Sequence, residues 1–205
     1  MHWLTPVVVA YGMWGTFIVV WNVTDRHTAK TMTTPTKSRE QVYSLVLVAA
    51  IICLVLAPFL WIAPLDTFAP RLWRNPPVVE WPLLLVVAGG IGFSTWARLH
   101  LGRLWSAEVT HKAGHRIVET GPYRLVRHPI YTGFIVMYLG LALITANAFG
   151  LAALVLFTIG LSLKARLEEE FLVEELGAAV YTEYRSRTPM LVPALTRTQT
   201  SGPTL

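Results

Sequence analysis

The chain has 205 residues, of which 54% are hydrophobic and 14% charged, and a formal net charge of +5. Soluble domains carry about a quarter charged residues, so this composition excludes an ordinary soluble globular domain. The basic residues flank apolar runs, with no arginine-rich block or aromatic RNA-reading motif, so nucleic acid is excluded as the reason for the positive balance.

Leu4–Trp21 is the first uncharged run, long enough for a bilayer core. It has no basic leader and is followed by Thr24, Asp25 and Arg26, not by a small-residue cleavage site. It therefore reads as a span, not a signal peptide. A polar loop with Pro35 leads to the second run, Tyr43–Ala63. The single cysteine, Cys53, lies inside that run as a packing residue, so no disulfide forms within the chain. Pro64, Pro70, Pro76 and Pro77 mark a short connection to the third run, Trp81–Ala97. Gly89, Gly90 and Gly92 in that run allow close helix packing. They follow no strand and lack the third glycine of a dinucleotide fingerprint.

Ile130–Leu163 is an uncharged run of about twice the length of one span, interrupted at Asn147–Gly150. It reads as two short spans folded into a hairpin. Past Leu163 the chain stays helical but becomes amphipathic, with Glu168, Glu169, Glu170, Glu174 and Glu175 among Leu167, Phe171, Leu172 and Leu176. Gly177 is a stop signal. A short second helix is expected over Ala178–Arg187, ended by Pro189 and Pro193. The Thr-, Ser- and Pro-rich residues 194–205 read as a disordered tail.

Lysine and arginine alternate between connections. Fifteen fall in Asn22–Gln41, Arg98–Pro129 and the tail from Lys164; only Arg71 and Arg74 fall elsewhere. The positive-inside rule then predicts five spans in the cytoplasmic membrane, with the N-terminus outside and the C-terminus in the cytosol. Trp3, Trp21, Tyr43, Trp61, Trp81 and Trp105 sit at span ends and read as interfacial anchors. The fold class is thus all-α integral membrane: about five transmembrane helices, the last two a hairpin, plus cytosolic C-terminal amphipathic helices. Residues 1–193 form one domain, with three spans in 1–101. Membrane lipids are its immediate partners. No oligomeric state follows.

Two polar clusters border the hairpin, His115–Tyr131 before it and Lys164–Glu170 after it. A hairpin brings its ends together at one membrane face. His128 and Tyr131 should therefore lie near Arg166, Glu168 and Glu169.

The segment Gly121–Gly133, reading GPYRLVRHPIYTG, resembles the signature of the isoprenylcysteine carboxyl methyltransferase family. The uncharged hairpin, the Glu168-Glu169 pair, Gly177, Tyr181, Tyr184 and Pro193 are similar too, so the likeness covers roughly Trp105–Pro193. It implies S-adenosylmethionine as cofactor, bound within 102–193 in a cytosolic pocket partly covered by the connecting loop. It also implies that a strand-like segment His115, Arg116, Ile117 and Val118, then Tyr123, and His128, Pro129, Ile130 and Tyr131, line that pocket. Glu168 stands at the family's cofactor-binding glutamate, with Glu169 beside it. Four residues earlier, where the family often has a substrate-contacting arginine, this chain has Lys164, with Arg166 two residues later. Lys164, Arg166 and Arg127 are the candidates to contact the reacting group. Lysine is a point charge, not a planar fork for a carboxylate. For the lipidic or small hydrophobic methyl acceptor, the resemblance implies first the carboxylate of a prenylcysteine-like substrate, with a phospholipid amine and a small thiol left open as alternatives.

Three other readings compete. Certain sterol reductases share part of this half, which allows an NADPH-dependent reductase. His111-x-x-x-His115 has helical ligand spacing, but six histidines are too few for a membrane di-iron enzyme, so no metal is expected. A non-catalytic sensor is the third.

Overall fold

The computed structural model describes residues 4–24, 37–59, 70–102 and 117–193. Among them, six α-helices and one turn of 3-10 helix account for nearly all regular structure. In chain order these are α1 (Leu4–Val23), α2 (Lys37–Phe59), α3 (Pro77–Leu101), the 3-10 turn (Gly121–Arg124), α4 (Pro129–Thr145), α5 (Ala148–Leu176) and α6 (Ala178–Arg187). The protein is an all-α integral membrane protein. α1, α2, α3 and α5 are long and apolar enough to cross a bilayer. The 17-residue α4 sits at the short end of that range. Val8, Val19, Leu45, Ile52, Leu85 and Val155 are exposed. Such outward apolar belts suit lipid and not water.

The hairpin is unequal. The two short spans expected are a 17-residue α4 and a 29-residue α5. α5 runs unbroken through the charged segment, because nothing between Leu163 and Gly177 interrupts its backbone hydrogen bonding. Gly177 ends it with φ of 88°, a conformation glycine adopts without Cβ strain. At the tip, Ala146 takes the left-handed conformation, at φ 54° and ψ 32°. Asn147 caps α5, its side-chain oxygen accepting from the Gly150 amide at 2.9 Å. Its Nδ2 donates to the Ala57 carbonyl at 2.7 Å. The Leu72 amide donates to the Ala146 carbonyl, and Asn75 Nδ2 to the Leu143 carbonyl, each at 2.7 Å. The α2–α3 connection is thereby fastened to the hairpin tip, as the alternating topology requires.

α3 packs chiefly on α4, and α2 on α5. Of the three glycines expected to permit close packing, only Gly90 does so. A Cβ there would meet the Gly133 carbonyl at 2.5 Å, whereas Gly89 and Gly92 face open space. They point away from α4. Gly133 is the reciprocal contact: its Cβ would meet Ser94 Oγ at 2.2 Å and the Gly90 carbonyl at 2.7 Å. The last residue of the signature is thus a packing residue that sets how deeply α4 seats on α3. Trp21 is more than an interfacial anchor. Arg98 lies 4.3 Å from its ring centroid and donates to its carbonyl at 2.9 Å. The ends of α1 and α3 therefore share one face with the start of α4.

Candidate active site

The site forms at the mouth of the hairpin and begins with a turn. Gly121 has φ of 58°, and a Cβ there would sit 2.7 Å from His100 Cε1. Only glycine lets the chain pass under the last turn of α3. The 3-10 turn then buries Pro122 and Tyr123. The Tyr123 ring stacks on His100 at 6.3 Å between centroids, and its carbonyl accepts from the Tyr184 hydroxyl at 2.9 Å. Burial, with help from Glu168 and Tyr184, pushes the Tyr123 hydroxyl above its ordinary pKa, so it remains a neutral phenol.

The signature is strapped by the segment after α6. The amides of Arg127 and His128 donate to the carbonyls of Pro189 and Met190 at 2.8 and 3.1 Å. Thr132 Oγ1 donates to the Leu191 carbonyl at 2.6 Å. The two amide bonds satisfy backbone donors ahead of α4 that no helix bond would satisfy.

Five side chains then form one ionic and aromatic cluster. Arg127 Nε donates to Glu169 Oε1 at 2.7 Å, both side chains being almost fully enclosed. Arg127 Nη1 donates to the carbonyls of Thr188 and Arg185. His128 bridges the glutamates. Its Nε2 is 3.2 Å from Glu169 Oε1, and its Nδ1 is 3.4 Å from Glu168 Oε2. The Tyr131 ring stacks on His128 at 5.4 Å, and its hydroxyl donates to Glu168 Oε1. Burial opposes a charged His128, but hydrogen bonds to Glu168 and Glu169 outweigh it and raise its pKa above the ordinary imidazole value. An imidazolium donates from both nitrogens, which suits two flanking carboxylates. The Glu168 side chain is 21% exposed and that of Glu169 only 6%. Glu169 is therefore internal to the protein, and Glu168 is the carboxylate at the edge. Lys164 Nζ completes that edge, 5.8 Å from the Tyr131 ring centroid and 5.8 Å from that of Tyr43.

The hairpin thus brings together Arg127, His128, Tyr131, Lys164, Glu168 and Glu169. Arg166 does not join them. It lies on the exposed face of α5 with Ile159, Leu163 and Glu170. Two residues turn a helix by about 200°, which carries Arg166 away from the face of Glu168. Arg127 is committed to Glu169 and two carbonyls, so it braces the cluster from behind. Pro129 and Ile130 are the first residues of α4, both buried, and the Ile130 carbonyl accepts from Ser94 Oγ at 3.2 Å. Ile117 and Val118 are half-buried in an irregular approach to the turn and form no strand. His115 and Arg116, with His111 and the tail 194–205, lie outside the described residues. Sequence reasoning missed the strap formed by Thr188–Leu191, which has no compositional signal. It also read Tyr43 only as an anchor.

Fold and cluster together define a multi-pass α-helical membrane protein with a buried ionic site at one face. The isoprenylcysteine carboxyl methyltransferase family profile matches residues 83–174, from α3 through the glutamate pair. The chain is 34% identical over 116 residues to a cobalt-zinc-cadmium resistance protein of Cupriavidus metallidurans, covering 56% of this chain and 51% of that one. It is 41% identical over 80 residues to the methanethiol S-methyltransferase of a Pseudomonas species, covering 39% and 29%. It is 25% identical over 128 residues to protein-S-isoprenylcysteine O-methyltransferase B of Arabidopsis thaliana, covering 62% and 64%. The match thus spans about half the length of the first of these relatives and less than two thirds of the others. The chain is thus similar to the isoprenylcysteine carboxyl methyltransferase family over most of α3, α4 and most of α5. α1 and α2 lie outside the region the family profile matches.

Proposed function

We propose that the protein is a membrane methyltransferase that uses S-adenosylmethionine to methylate a lipidic or small hydrophobic acceptor at the cytosolic face of the cytoplasmic membrane. The observation that carries this reading is the edge of the cluster. Glu168, held by Tyr131 and His128, is a carboxylate with one side still open. The likeness to that family supports the donor, and the relatives' names span prenylcysteine and methanethiol acceptors. The concentration of basic residues at the mouth supports a cytosolic site.

The donor set fits the cofactor. S-adenosylmethionine carries an ammonium and a sulfonium, and a fixed carboxylate with aromatic faces beside it suits such cations. Glu168 would hold the amino group, with the rings of Tyr131 and Tyr123 beside it. When bound, the cofactor supplies an electrophilic methyl group. The residues of the chain supply position. His128 and Arg127 hold the two carboxylates in place, so that neither must reorganise on binding. α4 and α5 exclude water from one side of the cluster. Holding donor and acceptor in line can supply several kcal/mol of the barrier, in order of magnitude.

Calorimetry with purified protein tests this reading. S-adenosylmethionine should bind, and Glu168→Gln should weaken it at least about tenfold, as loss of a charged hydrogen bond does. His128→Ala should weaken it too. Unchanged affinity in both variants would remove the site assignment. A melting shift with NADPH and none with S-adenosylmethionine would favour a reductase.

A further inference from the structure

α2 and α5 run antiparallel, and contacts along their length set the register. Near one end, Asn147 reaches the Ala57 carbonyl. Midway, a Cβ on Gly160 would meet Leu47 Cδ2 at 2.7 Å. At the other end, Arg39 Nη2 donates to Glu170 Oε1 at 2.9 Å. One helical turn beyond the Gly160–Leu47 contact, Lys164 faces Tyr43. Tyr43 is buried, packed with Leu167, Leu47 and Phe171. The same ammonium lies against Tyr131, so it is flanked by two phenol rings, one from each half of the chain. Lys164 and Glu168, one turn apart on α5, attract each other.

We infer that Tyr43, Lys164 and Tyr131 form the acceptor side of the site and that the acceptor is a thiol, held there as its thiolate. This rests on the methyltransferase reading above. A carboxylate acceptor is already ionised at neutral pH and is best held by the planar fork of an arginine. A neighbouring ammonium would only blunt its nucleophilicity. A thiol is different. Its ordinary pKa is about 8.5 and its reactive form is the thiolate, so an ammonium beside it creates the nucleophile. A single anionic sulfur also matches a point charge, and sulfur packs well against aromatic rings. The thiol proton leaves to solvent. A sulfur lone pair forms the bond to the methyl carbon as the methyl–sulfonium bond breaks. The products are a methyl thioether and neutral S-adenosylhomocysteine. Lys164 keeps its proton throughout.

The test uses the full chain in detergent and three acceptors: 1-butanethiol, a farnesylthioether carboxylic acid, and vesicles containing monomethyl phosphatidylethanolamine. The thiol should be methylated with kcat/KM at least about tenfold above the other two. Lys164→Gln should lower thiol kcat/KM about 100-fold and move the rising limb of its pH–rate profile to higher pH. Lys164→Arg should restore most of the rate. Tyr43→Ala should raise KM for the thiol about tenfold and Tyr43→Phe should not, because the ring face is what acts. Faster turnover of the carboxylate or the amine overturns the inference while leaving the methyltransferase reading in place. So does an unmoved pH–rate profile in Lys164→Gln. Absence of cofactor binding overturns both.

Discussion

The two ends of the α4–α5 hairpin both bury polar side chains, but in opposite ways. At the tip, Asn147 is uncharged and wholly buried, and it spends both ends of its amide on backbone groups. Nothing is left to meet a ligand. At the mouth, Arg127, His128, Glu168 and Glu169 are ionisable and bond mainly to one another, and the exposure that remains falls on Glu168. A buried amide that completes the backbone is a structural device. Buried charges that complete each other, with one edge open, are an arrangement that a cationic ligand can join. The contrast separates groups that hold the fold from groups proposed to hold a ligand, though both are polar and buried.

That contrast breaks if mouth and tip respond alike to substitution. The largest effect should come from Arg127→Met, which leaves Glu169 buried without its strongest partner. Removing one partner of a buried ion pair costs about 3–5 kcal/mol, and His128 remains beside Glu169, so denaturant unfolding of the purified protein should show a loss of about 3 kcal/mol. Cofactor affinity should fall with it, because His128 and Glu168 lose their backing. Next is Gly133→Ala. Its added methyl meets the Gly90 backbone as well as Ser94, so relief requires the helices to part, at about 1–3 kcal/mol. At the tip, Asn147→Ala should cost about 1–2 kcal/mol through the lost cap and the unsatisfied Ala57 carbonyl. Its calorimetric affinity for S-adenosylmethionine should stay within about twofold of the parent. A larger change would mean that the tip is coupled to the site.

The smallest effect is a pH dependence confined to the mouth. His128 has a folded pKa raised above the ordinary value of about 6.5. Its ionic contribution is therefore complete below about pH 6.5 and is lost as pH rises through the folded value. The melting temperature should decline as pH rises above about 6.5, and His128→Gln should flatten the decline. A parent protein that gains stability there would show that His128 is neutral in the fold.

Much of this was legible in the residues alone. Apolar run lengths and the placement of lysine and arginine predict the helices and their alternation, because bilayer thickness and loop charge act on short stretches of chain. Asn147 and Gly177 announce the hairpin tip and the end of α5 through capping chemistry that is equally local. The pairing of His128 and Tyr131 with the glutamates also follows, since an antiparallel hairpin must bring its own ends together. What only the tertiary structure decided depends on helix rotation and on partners far along the chain. It turned Arg166 outward and Glu168 inward, committed Arg127 to Glu169, and made Gly133 a contact with α3. It also laid Thr188–Leu191 along the signature and set Tyr43 against Lys164. Those outcomes turn on which side of each helix meets which neighbour, and close packing settles that only once all the helices are present.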